Sequence, residues 1–497
     1  MQILHPWRFE ALDRVPEFVA EGRDDRLGHE RTHYRGSTVV DCSHPHQSAA
    51  ASHQRRYEGP PDHHVALLDP LREHPEGRRA PLPVEQKIGG LRVHRRHPDR
   101  RHVIFSICCA AIFVTSLAAR DEFDDNWQRY KQGRAYAAEK TGSIHVRFPA
   151  GNGVEFDNVV EVPDDYSPST KWPLRVQLHG GVARPGPQAA QAGRPVAQSA
   201  PNRIPGEKQI YIYPSGWADA QWWDTNQVDN ILRVVNDVKQ KYNVDESLIY
   251  LTGISDGATG AYYIAMKEPT VWSSVLPLNG SIAVLRNPQN GADGELYGNN
   301  LVNKPLYIVN GEEDQLYPVW HVEPHVRWFV TLGVTHDFRP QPGAGHNTNW
   351  WPTEREPFEK FVRANPRQPH PVKLSWETER IDRFNRVHWL VINKIGKGTS
   401  EAALPDQGFF QHRAPSGRVD VERNGNVFEA KARGVREFTL LLSPDVVDFS
   451  QPVVVNVNGK ELFRSTVKKD LTTLVKWATR DNDRTMLYGA EVRVIVP

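Results

Sequence analysis

Leu248-Ile-Tyr-Leu-Thr-Gly-Ile-Ser-Asp-Gly257 is a short apolar run that ends in a glycine-flanked serine, and a helix is predicted directly after it, from Ala258 to about Lys267. A serine on a sharp turn between strand and helix stands exposed for attack. Glycines are needed at 253 and 257 because a side chain there would collide with the adjoining strand or helix. The pentapeptide alone is weak, since patterns this short arise by chance in long chains, and a glycine-rich loop with an incidental serine is the competing explanation. The strand before it and the helix after it favour Ser255 as a nucleophile.

Working outward, the strand Leu174-Arg-Val-Gln-Leu178 runs into His179-Gly-Gly181. A glycine turn there lets a backbone N–H approach a developing oxyanion, so the N–H of Asp256, the residue after the nucleophile, is one expected donor and Gly181 the second. His179 is then a turn residue rather than a base. Downstream, the chain order serine, acid, histidine requires an acid after a later strand. The strand Pro305 to Val309 leads into Asn310-Gly-Glu-Glu-Asp314, and Asp314 at the entry to a helix fits the acid. Glu312 and Glu313 compete with it but read as solvated turn carboxylates. Among the histidines, His346 follows Pro342-Gly-Ala-Gly345 in a loop after the last strand. His336 falls within that strand and His321 and His325 on a helix, so His346 is the expected base.

The elements around these residues define a fold. A hairpin is expected from Ile144 to Phe148 and Val154 to Val162, turning at Ala150-Gly-Asn-Gly153. Strands at 174–178, 209–213, 248–252, 274–278, 305–309 and 336–339 alternate with helices, including one from about Val228 to Tyr242, and this alternation implies a mostly parallel sheet with helices on both faces. Beyond Pro366-Arg-Gln-Pro-His-Pro371 the helical signals stop. Short strands follow at 387–393, 418–422, 438–442, 453–457 and 492–496, with Asn458-Gly459 as a tight hairpin turn. The predicted organisation is thus an α/β catalytic domain over 143–368 and a small all-β, sandwich-like domain over 372–497, preceded by a linker or short helix over 120–142. The Ala-, Pro- and Gln-rich stretch Ala183 to Glu207 is expected to be a surface excursion.

From about 143 to 365 the chain resembles the secreted α/β-hydrolase esterases of the polyhydroxybutyrate depolymerase and feruloyl or acetylxylan esterase group, and more distantly the prolyl oligopeptidase catalytic domain. The residues that carry the resemblance are His179-Gly-Gly181, Tyr213-Pro-Ser-Gly216, Trp222-Trp-Asp224, Tyr250 to Gly257, Asn310 to Asp314 and Gly345-His346. It implies an α/β-hydrolase fold and a Ser255–His346–Asp314 triad that cleaves esters without metal or organic cofactor. Trp217, Trp222, Trp223, Trp350 and Trp351 fall near the active-site ends of the strands; core packing is the better reading of any one of them, but as a cluster at such a mouth they suit a carbohydrate or aromatic ester, with Trp222, Trp223 and Trp350 as the candidate substrate contacts. The expected substrate is therefore an ester of plant polysaccharide or polyester type. A peptidase of the prolyl oligopeptidase type shares the triad order, but no propeller repeat precedes the catalytic region. A non-catalytic polymer-binding protein on the same fold is the remaining alternative.

Composition bounds the rest. A chain of 497 residues has room for two or three cores, and its formal net charge of +1, with both signs interspersed, leaves no footprint for nucleic acid or an anionic membrane. Residues 1–102 differ from the remainder: more than half of the 21 histidines lie there, without helical or strand periodicity. This stretch reads as disordered, or as an upstream extension from a misplaced start codon. A His-rich metal arm is disfavoured by irregular spacing. Arg100-Arg101 then precedes an apolar run from Val103 to Leu117 and the small residues Ala118-Ala119, the anatomy of a signal peptide over 103–119. The run is shorter than the roughly 18 to 20 residues that span a bilayer. A secreted or periplasmic protein is expected. Its mature chain would lack cysteine, since Cys42, Cys108 and Cys109 all lie upstream.

Overall fold

The computed structural model describes residues 122–151, 153–183, 186, 203–396 and 408–497, all within one compact unit, Asp99–Pro497. The extension 1–102, the signal-like segment 103–119 and most of the 183–207 excursion lie outside the described residues. Among the described residues no helix is long and apolar enough to cross a membrane.

The larger sheet has eight strands in the order β1-β2-β4-β3-β5-β6-β7-β8. Strands β1 (Gly142–Gly151) and β2 (Val154–Val162) form the expected antiparallel hairpin, and β2 pairs antiparallel with β4 (Ile210–Tyr213). From β4 onward the neighbours are parallel: β3 (Trp172–Leu178), β5 (Val244–Ile254), β6 (Val275–Leu278), β7 (Leu306–Gly311) and β8 (His336–Gln341). Alternation sorts the central strands between two cores. Ile249, Leu251, Leu306 and Ile308 face helices α2 (Thr225–Lys241), α3 (Asp256–Lys267) and α4 (Val319–Leu332). Tyr250, Leu276, Tyr307 and Val309 instead meet Trp351 and Phe358 of α5 (Trp351–Ala364). Burial on both faces explains why these strands read as unbroken apolar runs.

The C-terminal domain is built from two sheets. One runs β10 (Arg386–Val387), β11 (Leu390–Ile395), β14 (Val435–Leu442), β17 (Ala490–Ile495). The other runs β16 (Lys460–Ser465), β15 (Val453–Val457), β13 (Val427–Arg433), β12 (Gly417–Asn424), β9 (Lys373–Thr378). Their inward residues, among them Trp376, Val419, Phe428, Phe438 and Leu440, share one core, as in a sandwich. Asn458 and Gly459 both take positive φ, 51° and 78°, in the hairpin turn expected of them. The domain is not all-β, however: helix α6 spans Leu471–Asp481, where only strands were expected. Asp470 caps it by accepting from Thr472 N and Thr473 N, and its buried residues Thr473, Leu474, Trp477 and Ala478 recur at helical spacing. The linker 120–142 holds helix α1 (Glu122–Gln132), whose Phe123 and Trp127 pack on Leu474, Ala478 and Leu487 of the C-terminal domain.

The Pro-rich connection at 366–371 is no free hinge. Arg367 is fully buried, donates to Glu246 O at 3.0 Å and pairs with Asp483 at 2.7 Å. Lys239 of α2 donates to Asp481 O at 3.0 Å and lies 3.7 Å from Asp483, while Arg484 binds Glu246 at 2.8 Å. Segment 481–484 is thereby bonded to the α/β domain through charges that cannot be separated without stranding one of them in a dry interface. Although burial opposes its charge, Arg367 and Lys239 hold the Asp483 carboxyl below the usual carboxylate range. Asp483→Ala leaves two buried cations unpaired and is expected to cost about 3 to 5 kcal/mol of unfolding free energy, measured by chemical denaturation.

Burial also holds His370 near a pKa of about 4, and His325 at about 4 with help from His321 and Arg286. A histidine whose folded pKa is depressed takes up its proton more readily in the unfolded chain, so its contribution is complete above the unfolded value of roughly 6.5 and declines as pH falls toward 4. The melting temperature is expected to drop between these values. The decline should be smaller in His370→Phe.

Candidate active site

Ser255 sits between β5 and α3 with φ 57° and ψ −118°, a conformation rare for any residue with a side chain. It is enforced by close packing on both sides. A Cβ at Gly253 would lie 1.9 Å from Gly257 O, and one at Gly257 would lie 2.3 Å from Leu178 O. The turn can therefore form only with glycine at both positions, as the sequence implied.

His346 lies with Nε2 3.0 Å from Ser255 Oγ and Nδ1 2.7 Å from Asp314 Oδ2. Asp314 is 1% exposed, and its other oxygen accepts from Leu316 N and Tyr317 N at 2.8 and 2.9 Å. An ionised carboxylate can only accept, so the ring proton sits on Nδ1 and Nε2 presents a lone pair to the serine hydroxyl. Ser255, Asp314 and His346, three residues drawn from separate loops, thus form one hydrogen-bonded chain. The competitors fall elsewhere. Glu312 and Glu313 are exposed, His336 bonds Val334 O from within β8, and His321 and His325 lie on α4.

The His179-Gly-Gly181 turn lies against the serine: a Cβ on Gly180 would be 2.9 Å from Ser255 Cβ. His179 is fixed as a neutral tautomer. Gly216 N–H donates to its Nε2 at 3.2 Å, so Nδ1 carries the proton and donates to Gly180 O at 2.8 Å. Because a trans peptide sets N–H opposite C=O, this bond also orients the N–H of Gly181, whose φ is 70°. The carboxylate of Asp256 accepts from Val182 N at 2.9 Å and ties the turn to the start of α3, where the N–H of Asp256 has no partner within its own helix. Both expected oxyanion donors therefore belong to turns bonded to each other beside Ser255.

The three tryptophans expected to meet substrate are buried. Trp222 has no exposed surface and donates from Nε1 to His179 O at 2.8 Å, supporting the glycine turn from below. Trp223 is buried with its Nε1 on Asn290 O, and Trp350 is buried against Trp351 under the sheet. A large indole contributes most to stability when its surface is removed from water, and these three are core. Two features were missed. Asn279, buried and at φ 48°, stands before Gly280 in a left-handed turn that the Asn-Gly pair could have signalled, and its Nδ2 donates to Asn347 O at 2.7 Å and anchors the loop next to His346. Tyr317, three residues after Asp314, packs its ring 5.8 Å from that of His346, and burial with Asp256 and Asp314 nearby pushes its hydroxyl up to about 12. Among the described residues no three His, Cys, Asp or Glu gather as a metal ion would require.

The strand order and the serine turn at the carboxyl end of β5 define the α/β-hydrolase fold, here followed by a β-rich second domain. Comparison with known protein families finds no match. A bifunctional acetylxylan esterase/xylanase of Neocallimastix patriciarum is 22% identical over 278 residues, 52% of this chain; the chain spans 38% of that relative's length. Among solved structures, a thermostable esterase aligns at 19% identity with a TM-score of 0.33, covering 45% of this chain and 63% of the other. Est1E from Butyrivibrio proteoclasticus aligns at 18% identity with a TM-score of 0.33, covering 45% and 99%.

Gly257→Ala forces a methyl group into the Leu178 carbonyl and is expected to cost about 3 kcal/mol or more, read by chemical denaturation. An unchanged stability would show that the turn is looser than its packing implies.

Proposed function

We propose that the protein is a serine esterase, a carboxylic ester hydrolase acting through an acyl-enzyme on Ser255. The observation that carries this reading is the closed chain from Asp314 through His346 to Ser255 Oγ, at 2.7 and 3.0 Å. His346 Nε2 takes the proton of the serine hydroxyl as Oγ bonds to the ester carbonyl carbon. The N–H groups of Gly181 and Asp256 receive the resulting oxyanion, and Asp314 stabilises the imidazolium. The same proton passes to the departing alcohol oxygen as its bond to carbon breaks. Water then repeats the sequence, giving a proton to His346 and releasing the acid with Ser255 restored.

The relative named as an acetylxylan esterase/xylanase supports an ester carried on carbohydrate, such as plant polysaccharide, ahead of a polyester. The basic flank, apolar centre and small residues over 100–119 support export to the periplasm or beyond. Reaction needs no metal or organic cofactor in this scheme.

A fluorophosphonate probe should label the chain and fail to label Ser255→Ala, while His336→Ala labels normally. Asp314→Asn, which upsets the His346 tautomer, should lower kcat on p-nitrophenyl acetate by about four orders of magnitude. Labelling that survives Ser255→Ala would falsify the assignment. Turnover of a peptide anilide with none of p-nitrophenyl acetate or acetylated xylan would replace the esterase reading with a peptidase.

A further inference from the structure

The turn that carries the acid continues into the most exposed aromatic surface near the site. Asp314 holds the amides of Leu316 and Tyr317, and Tyr317 meets His346; the chain then enters α4. Leu316 is 58% exposed and Trp320 is 73% exposed. Among the described residues every other tryptophan is buried or half-buried. From Trp320 the rings continue along α4: His321 lies 5.8 Å away, His325 5.6 Å further and Phe409 5.3 Å beyond that, with the Arg286 guanidinium 4.8 Å over Phe409. Phe409 belongs to a loop of the C-terminal domain, held by stacking on Trp328 at 4.1 Å.

Chemistry decides which half of an ester lies here. His346 Nε2 must deliver its proton to the leaving oxygen, so the alcohol portion extends over the His346 side of Ser255, toward Tyr317 and the start of α4. Trp320 offers a flat ring face to solvent, bordered by the exposed imidazole of His321, which can hydrogen-bond. That mixture suits a pyranose, whose C–H face stacks on an aromatic ring while its hydroxyls meet polar groups at the edge. An aliphatic polyester presents neither a ring face nor hydroxyls along its chain.

We propose that Leu316 and Trp320, bordered by His321, form the leaving-group subsite and receive a sugar ring of a glycan that bears the scissile acyl group. This rests on the esterase reading.

Binding and turnover test it separately. Unacetylated xylo-oligosaccharide is titrated calorimetrically into Ser255→Ala and into Ser255→Ala/Trp320→Ala. The single variant should bind and the double variant about ten-fold more weakly. In the active chain, Trp320→Ala should lower kcat/KM on acetylated xylo-oligosaccharide by a similar factor and leave ethyl acetate, whose alcohol is too small to reach the platform, unchanged. Trp320→Tyr should recover most of the loss. Absence of oligosaccharide binding to Ser255→Ala, equal binding by both variants, equal losses on ethyl acetate, or a loss confined to hydroxybutyrate oligomers would each overturn the subsite. If the native chain hydrolyses no ester, the esterase reading fails, and the calorimetry still decides whether Trp320 holds a glycan.

Discussion

The molecule turns on the contact between the two backbone segments at Gly257 and Leu178. With no room for a Cβ at 257, and a Cβ at 253 closed off by Gly257 itself, the chain leaving β5 bends sharply and lifts Ser255 above the sheet. The same proximity places the end of β3 beside the start of α3, so that the His179-Gly-Gly181 turn meets Ser255 without any long connection. Close approach, rather than any one side-chain bond, makes two neighbouring parallel strands into a site. The positive φ of Ser255 is the strain that this approach stores, and the buried helix α3 behind it, with every residue from Gly257 to Lys267 shielded, holds it in place.

Much of this was legible because the constraint is written in residue type. Glycines at 253 and 257 have one physical reason, and the strand before them and helix after them follow from periodicity. Asp314 and His346 could be named from order along the chain, since parallel strands connected by helices deliver successive loops to one sheet edge. What was not legible depends on burial and on backbone conformation. Trp222, Trp223 and Trp350 carry no mark distinguishing a core indole from an exposed one, and their neighbours along the chain say little about what covers them. Asn279 adopts a left-handed turn that its Asn-Gly pair allows, but nothing in the sequence says that its side chain would reach the loop beside His346. Helix α6 lies inside a run of strands, and its single amphipathic stretch of 11 residues is short against the strand signals on both sides.

His179 shows how a residue can matter to the site without touching the reacting atoms. Its ring is read by two backbone groups, Gly216 N–H and Gly180 C=O, and only one neutral tautomer satisfies both. Trp222, bonded to the carbonyl of His179 and stacked edge-on at 5.0 Å, keeps that ring from turning. The tryptophan expected to touch substrate instead holds the turn that presents the Gly181 amide. The indole and the glycine turn are parts of one device.

The second domain is joined to the first in a way that bears on what it does. A module that merely tethers a catalytic domain to a polymer needs a loose linker, and the Pro-rich segment at 366–371 has that composition. Yet Arg367 within it is fully buried between Glu246 O and Asp483, and Lys304 donates to the buried His388 at 3.0 Å across the same boundary. Glu295 accepts the amides of Arg413 and Ala414, bringing the loop that begins near Phe409 onto the catalytic domain. Desolvated charges hold position far more strictly than an apolar contact of equal area, because a small displacement leaves a charge without its partner. Such an interface fixes Phe409 relative to α4 and the acid turn. A domain attached with that stiffness keeps its loops in fixed register with the helices of the catalytic domain.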